Sequence, residues 1–364
     1  MILNESYGQF AQRLAAFYYI TLAPMPEQLS VEGISNSAFE DLHSFFSDFY
    51  KMLYDQPEVL NLPNIADKYL EQDQHKSKNQ AYKKAEGAVK PFIIDFINLL
   101  YNAGQKGRMN GQKLIADIQI YEKYLSKQKR NKKKFFEGVA MLGLELAVDK
   151  DKFTLYNNKY PQMLQAMTVF SHRCAENKHY YGRFCFFMCD LGALDHNYEP
   201  LAETLLDRLI SCSAAYKFIL DLHKYMIQNA YTVSCKFESE MAWEIFYTNK
   251  KIKSSPLIGI SFDIRYKEPV TVTMRFVSTS RLTQIIGSMP NELQESFYHD
   301  TGYCRGSVCG WCKNQKGLLR PSVLNVDNKQ KTICWYAQKR YTNIGDMELN
   351  NIMQYIKLHE QLIS

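Results

Sequence analysis

Four consecutive segments alternate apolar with polar residues: Tyr231, Val233, Cys235 and Phe237; Trp243, Ile245 and Tyr247; Ile258, Ile260, Phe262, Ile264 and Tyr266; Val272, Met274 and Phe276. A period of two puts successive side chains on opposite faces of a strand. Each segment therefore has one apolar face, and Ser261, Asp263, Arg265, Thr271, Thr273 and Arg275 point to the other. Strands of this kind in succession predict an antiparallel meander with one wet face. Its apolar face needs a cover, and the helical stretch from Leu201 to Gln228 just before it is the predicted one.

The first third of the chain has a different period. Leu42, Phe45, Phe49 and Leu53 recur every three or four residues, as do Phe92, Phe96 and Leu99, and then Leu114, Ile118, Tyr121 and Leu125. These are stripes by which helices pack on one another. Breaks fall at "LAPMPEQ", "NLPN" and "NAGQKGRMNGQ", where Pro, Gly and Asn favour turns. Between these regions, "KKFFEGVAMLGLEL" reads as a helix, "DKFTLYNNK" as a strand and turn, "PQMLQAMTVFSHRCAE" as a helix and "YYGRFCFFMCDL" as a buried strand.

The 364 residues exceed the roughly 250–300 at which single cores stop growing. The expected organisation is a helical domain over 1–126, a basic linker and small α+β segment over 127–200, and a helix, meander and Cys-rich C-terminal module over 201–364. The fold class is α+β: an all-helical N-terminal domain, α+β segments with an antiparallel meander, and a zinc-stapled C-terminal segment. Two helical stretches, "TSRLTQIIGSM" and "PNELQESFYHD", lead into that segment, and a closing helix begins near Asp346 with Leu349, Ile352, Met353 and Ile356 on one face.

Three cysteines, Cys304, Cys309 and Cys312, crowd into "GYCRGSVCGWCKNQ", and Cys334 follows in "KTICWYAQKR". Zinc takes four thiolate or imidazole ligands in a tetrahedron, and two thiols separated by two residues grip one ion from a tight turn. Gly306 and Gly310 ease the backbone around it, and Cys334 closes the site from a distant strand. His299 is a replacement ligand if Cys334 does not reach. The spacing also matches a plant-type [2Fe–2S] pattern. A redox pair of Cys309 and Cys312 and unligated thiols in a loop are the other readings. His172, Cys174, His179, Cys185, Cys189 and His196 form a second thiol and imidazole set, with Cys185 and Cys189 read as small buried hydrophobes; Cys212 and Cys235 read the same way.

From Gly302 to Gly345 the basic residues are Arg305, Lys313, Lys316, Arg320, Lys329, Lys331, Lys339 and Arg340, against a single acidic Asp327, with Trp311, Trp335, Tyr336 and Tyr341 among them. Cations neutralise phosphates and rings stack on unpaired bases. Arg305, Trp311, Lys313, Lys316, Arg320, Lys339 and Arg340 are therefore the candidate nucleic-acid surface. A second basic block runs from Lys127 to Lys134 and reads as a solvated linker or helix end.

The region of residues ~205–364, with its meander, "FYHDTGYC", "CGWCK" and "ICWY", resembles uncharacterised bacterial proteins that carry a cysteine-bearing segment after a small sheet. That resemblance implies a shared metal site and no activity. There is no GxSxG elbow, P-loop, GxGxxG after a strand or HExxH helix. Nine cysteines without a secretory leader, and no run near the roughly 18–20 apolar residues of a membrane span, place the chain in the cytoplasm. The expected function is that of a non-catalytic, zinc-containing binding protein acting on nucleic acid, a protein partner or a second copy. The alternative is an enzyme or redox protein using Cys309 and Cys312 or a cryptic pocket.

Overall fold

Ser35 starts the first long helix by accepting the Ala38 N–H on Oγ at 3.3 Å, a side-chain cap on one of the orphan donors of a helix start. That helix, α1 (Asn36–Asp55), buries Leu42, Phe45, Phe49 and Leu53 completely, as their spacing requires. The computed structural model describes residues 18–19, 21–27, 29, 31–62, 87–125, 132–176, 180–195, 202–210, 217–239, 242–251, 257–263, 270–304, 321–326, 328–334, 337–342 and 344–363.

Helix α2 (Ile94–Lys106) runs into β1 (Arg108–Asn110) and β2 (Lys113–Asp117), and α3 (Ile118–Leu125) follows at once. Then come α4 (Lys132–Ala140), β3 (Leu144–Val148), β4 (Lys152–Asn157), α5 (Met163–Glu176) and α6 (Tyr180–Phe187). The four strands form one antiparallel sheet in the order β1-β2-β4-β3. Helices α2 and α5 pack closely because Gly104 has no side chain: a Cβ there would lie 2.3 Å from Ser171 Oγ.

Helices α7 (Ala202–Ile210) and α8 (Lys217–Gln228) precede β5 (Thr232–Ser239), β6 (Ala242–Thr248), β7 (Ile258–Asp263) and β8 (Val270–Phe276). The predicted meander forms, with Ile245, Tyr247, Ile258, Ile260, Val272 and Met274 fully buried on its inner face. Helices α9 (Thr279–Ile286) and α10 (Asn291–Asp300) and the hairpin β9 (Ser322–Val326) and β10 (Lys329–Ile333) follow. Strand β11 (Ala337–Tyr341) returns to pair with β8, so the sheet has five strands in the order β11-β8-β7-β6-β5. Helix α11 (Asp346–Ile363) closes the chain where the sequence placed it, with Ile352 and Ile356 buried.

The two sheets share one hydrophobic core. Helix α6 is the join: Tyr181 and Phe184 set their rings 4.9 and 5.0 Å from Phe237 on β5. Among the described residues no helix is long and apolar enough to cross a membrane.

The fold is α+β with antiparallel sheets, but two expectations are corrected. The all-helical domain over 1–126 is interrupted by β1 and β2, and β2 pairs with β4, so a sheet crosses the expected boundary at 126–127. Gly111, at φ 58°, and Gln112 turn that hairpin between the paired Asn110 and Lys113, and the apolar Leu114 belongs to a strand rather than to the stripe of Ile118 and Leu125. "YYGRFCFFMCDL" is not a strand: Tyr180–Phe187 is helical. Phe184, Cys185, Phe186 and Phe187 are all buried, and an element packed on every side loses the periodicity that separates helix from strand. Of the helical stretch Leu201–Gln228, α7 and α8 are helical as expected, and residues 201 and 211–216 lie outside the described residues. Of the basic block, Lys132, Lys133 and Lys134 lie in the first turn of α4, where Lys133 approaches Glu137 at 3.9 Å, and the rest is outside the described residues.

Candidate metal centre

Before the cysteine segment, Tyr303 forms an antiparallel bridge with Ile333 at the end of β10, and the Cys304 N–H donates to Thr332 O at 2.8 Å. Cys304 thus lies opposite Thr332. Cys334, two residues beyond Thr332, follows Ile333 as Cys304 follows Tyr303. Both cysteines fall on the face away from Tyr303 and Ile333, as diagonal neighbours about 7–8 Å apart at Cα. Two thiolates of a tetrahedral zinc site, with Zn–S near 2.3 Å, lie roughly 3.8 Å apart, within reach of side chains leaning together from such positions. Both residues are half-buried.

Cys309 and Cys312 lie outside the described residues, as do Arg305, Trp311, Lys313, Lys316, Arg320, Trp335 and Tyr336. Among the described residues no group of three or more His, Cys, Asp or Glu is arranged to hold a metal ion. His299 is on the exposed side of α10, with Nε2 at 3.6 Å from Glu295.

The other face of the bridge is built around a cation. Lys331, 4% exposed, donates from Nζ to the Tyr298 carbonyl and sits 4.8 and 4.7 Å from the ring centroids of Tyr298 and Tyr303. Burial holds its amine below the usual lysine range, opposed by the nearby Asp300. Asp300, at the end of α10, accepts from Tyr341 at 2.6 Å and Tyr355 at 3.4 Å on Oδ2, and pairs through Oδ1 with Lys339 at 3.1 Å. Burial and this carboxylate push the Tyr341 phenol far above its usual range. Lys339 is therefore committed to a carboxylate, whereas Arg340, on the opposite face of β11, is exposed.

The described cysteines of the second thiol set pack as the sequence suggests, and His172 is exposed. Cys174, Cys185 and Cys189 are buried, and burial pushes the thiols of Cys174 and Cys189 well above the ordinary range, which disfavours thiolate chemistry. His179, His196 and Cys212 lie outside the described residues.

Sequence reasoning missed two clusters. Lys331 alternates with Ile333 at an inward strand position, and a lysine there is a readable sign of a built environment. Glu203, His223 and Tyr247 come from three elements and left no local sign. His223 Nδ1 is 2.8 Å from the Tyr247 hydroxyl, and Nε2 is 3.0 Å from Glu203 Oε1, off the hydrogen-bond direction. Contact with His223 holds the Glu203 carboxyl below its usual range.

Comparison with protein-family models, with curated proteins and with solved structures found no match.

Proposed function

We propose that this chain is a non-catalytic, zinc-containing binding protein of the cytoplasm. One zinc ion, held by Cys304, Cys309, Cys312 and Cys334, ties the segment between the Tyr303 bridge and β9 to the end of β10. The surface around it, with Arg305, Trp311, Lys313, Lys316, Arg320 and Arg340, engages nucleic acid. The observation that carries this reading is the pairing at Tyr303 and Ile333, which sets Cys304 and Cys334 side by side although 29 residues separate them. The stretch from Cys304 to Pro321, ahead of the β9–β10 hairpin, is rich in Gly, Lys and Arg and poor in apolar residues, so metal binding supplies ordering energy there that burial does not. Lys339, tied to Asp300, takes a structural part.

The test is elemental analysis of protein purified under reducing conditions without added metal. About one zinc per chain, lost on C309S/C312S, is expected for a four-thiolate site. Iron with visible absorbance would turn the reading to a [2Fe–2S] cluster, and metal-free folded protein would remove the staple. Zinc-loaded protein should then bind nucleic acid with affinity that falls linearly on a log–log scale with salt and is lost when Arg305, Lys313 and Arg340 become Glu. Salt-independent or undetectable binding would sink the nucleic-acid reading.

A further inference from the structure

Two neighbouring residues at the start of the cysteine segment face opposite ways. Tyr303 pairs with Ile333 and sets its ring 4.7 Å from Lys331 Nζ, on the face of β10 that Lys331 and Ile333 share. Cys304, next in the chain, donates its N–H to Thr332 O at 2.8 Å and carries its thiol on the other face, with Cys334. Whatever holds the thiol of Cys304 therefore also holds the ring of Tyr303, through one stretch of extended backbone.

Lys331 is 4% exposed, whereas Tyr303 over it is 66% exposed, so the ring stands on the solvent side of the ammonium. This cover is lightly held. Strand β10 pairs with β9 from Lys329 to Ile333, but among the described residues it meets the Tyr303 segment at one isolated bridge. The Tyr303 hydroxyl lies 3.4 Å from that of Tyr298, long for an O–H···O bond. On the α10 side the chain is anchored at Thr301, 1% exposed, whose N–H and Oγ1 both donate to Phe297 O. On the other side the anchor is Cys304, and a pairing this short is among the first parts of a fold to open.

We infer that Tyr303 is a metal-gated latch: zinc on the thiolates of Cys304 and Cys334 keeps the bridge to β10 closed, and its loss lets Tyr303 lift and uncovers Lys331. The inference rests on the zinc reading above and adds how the metal is sensed on the opposite face of the strand. Loaded protein hides the ammonium between two rings; stripped protein presents it, with the edge of β10, to solvent. The chemical change is the exchange of zinc for protons on the thiolates.

The test is brief acylation of full-length protein with an acetyl N-hydroxysuccinimide ester, read residue by residue by mass spectrometry, before and after a chelator removes zinc. Lys133, with its side chain 91% exposed, is the rate standard. Zinc removal should raise Lys331 labelling relative to Lys133 about tenfold, as local opening becomes easier. Hydrogen exchange at the Cys304 N–H should quicken with it, while α1 keeps its protection. Tyr303→Ala should label at Lys331 in the zinc-loaded state as fast as stripped wild type, and should no longer respond to zinc.

Zinc that leaves without changing Lys331 labelling would overturn the latch and leave the zinc reading standing. Slow labelling in zinc-loaded Tyr303→Ala would mean that another group covers the lysine, and overturns the latch as well. Loss of protection throughout α1 on zinc removal would make the opening global rather than local, with the same result. Protein that holds no zinc and takes none up overturns both readings.

Discussion

Tyr341, on the edge strand β11, donates its phenolic proton to Asp300 Oδ2 at 2.6 Å, and so ties the last strand of the sheet to the end of α10. Asp300 is 11% exposed at its side chain, and Tyr355 and Lys339 converge on the same carboxylate. Removing it leaves the buried Tyr341 phenol without its acceptor, while Tyr355 keeps Ser296 Oγ at 3.0 Å and Lys339, 37% exposed, turns to water. Asp300→Ala should destabilise the protein by about 3 kcal/mol, and Asp300→Asn, which keeps an acceptor, by about half as much. Urea unfolding checks both, and equal losses would mean that hydrogen bonding to Tyr341 contributes little.

His359 sets a pH dependence. The Val277 N–H donates to Nε2 at 3.2 Å, and Nδ1 donates to the Tyr355 carbonyl at 2.6 Å, so both nitrogens are engaged with the ring neutral. Burial is the largest cause, and it lowers the pKa from 6.5 to about 4. Above pH 6.5 neither folded nor unfolded chain is protonated there and the full stability is present. As pH falls from 6.5 to about 4 the unfolded state takes up the proton and the folded state does not, so stability drops. At about 1.4 kcal/mol per unit, the loss is roughly 3 kcal/mol by the lower end of that window. Urea midpoints measured across it should flatten in His359→Gln, and an unchanged slope would assign the effect to other groups.

The contact between α2 and α5 should not tolerate one added methyl at Gly104. Its Cβ would meet Ser171 Oγ at 2.3 Å, Ser171 Cβ at 2.8 Å and the Met167 carbonyl at 3.0 Å. Gly104→Ala gains about 1 kcal/mol of helix propensity but should still cost about 2 kcal/mol net from overpacking. Ser171→Gly opens the space, so the double variant should be more stable than the sum of the singles. A double-mutant cycle without coupling would place the strain elsewhere.

Lys331 is held as a cation between two rings but is almost fully buried, so its charge contributes little net stability. Lys331→Met, which keeps the apolar stem, should unfold within about 1 kcal/mol of wild type. Lys331→Glu places a carboxylate against the negative faces of Tyr298 and Tyr303 and should cost more than about 2 kcal/mol. Calorimetric melting temperatures separate the two, and a large loss in the Met variant would show that the ammonium itself holds the Tyr303 strand.

Much of the architecture was legible because it is written in local period. The alternation from Tyr231 to Phe276 named the inner face of the meander at its described positions, Ile264 and Tyr266 lying outside them, and the stripe of Leu42, Phe45, Phe49 and Leu53 named the buried side of α1. The hairpin of β1 and β2 was readable from Gly111, which opens its two-residue turn, and was passed over because Leu114 also fits the helical spacing of Ile118 and Leu125. Strand β11 has only Ala337 and Tyr341 as apolar residues on its inner face, and a short edge strand with Lys339 and Arg340 carries too few apolar positions to declare itself.

The sequence by itself determined the residue types: the thiols, the basic and aromatic residues around them, and the faces of the meander. Tertiary structure alone decided which of these meet. Cys304 and Cys334 share a strand face because Tyr303 pairs with Ile333, Lys339 turns to Asp300 while Arg340 turns out, and Phe246 rests on Gly259. Each depends on strand register between distant segments. A local period fixes which face a side chain takes, while only long-range pairing fixes what lies opposite it.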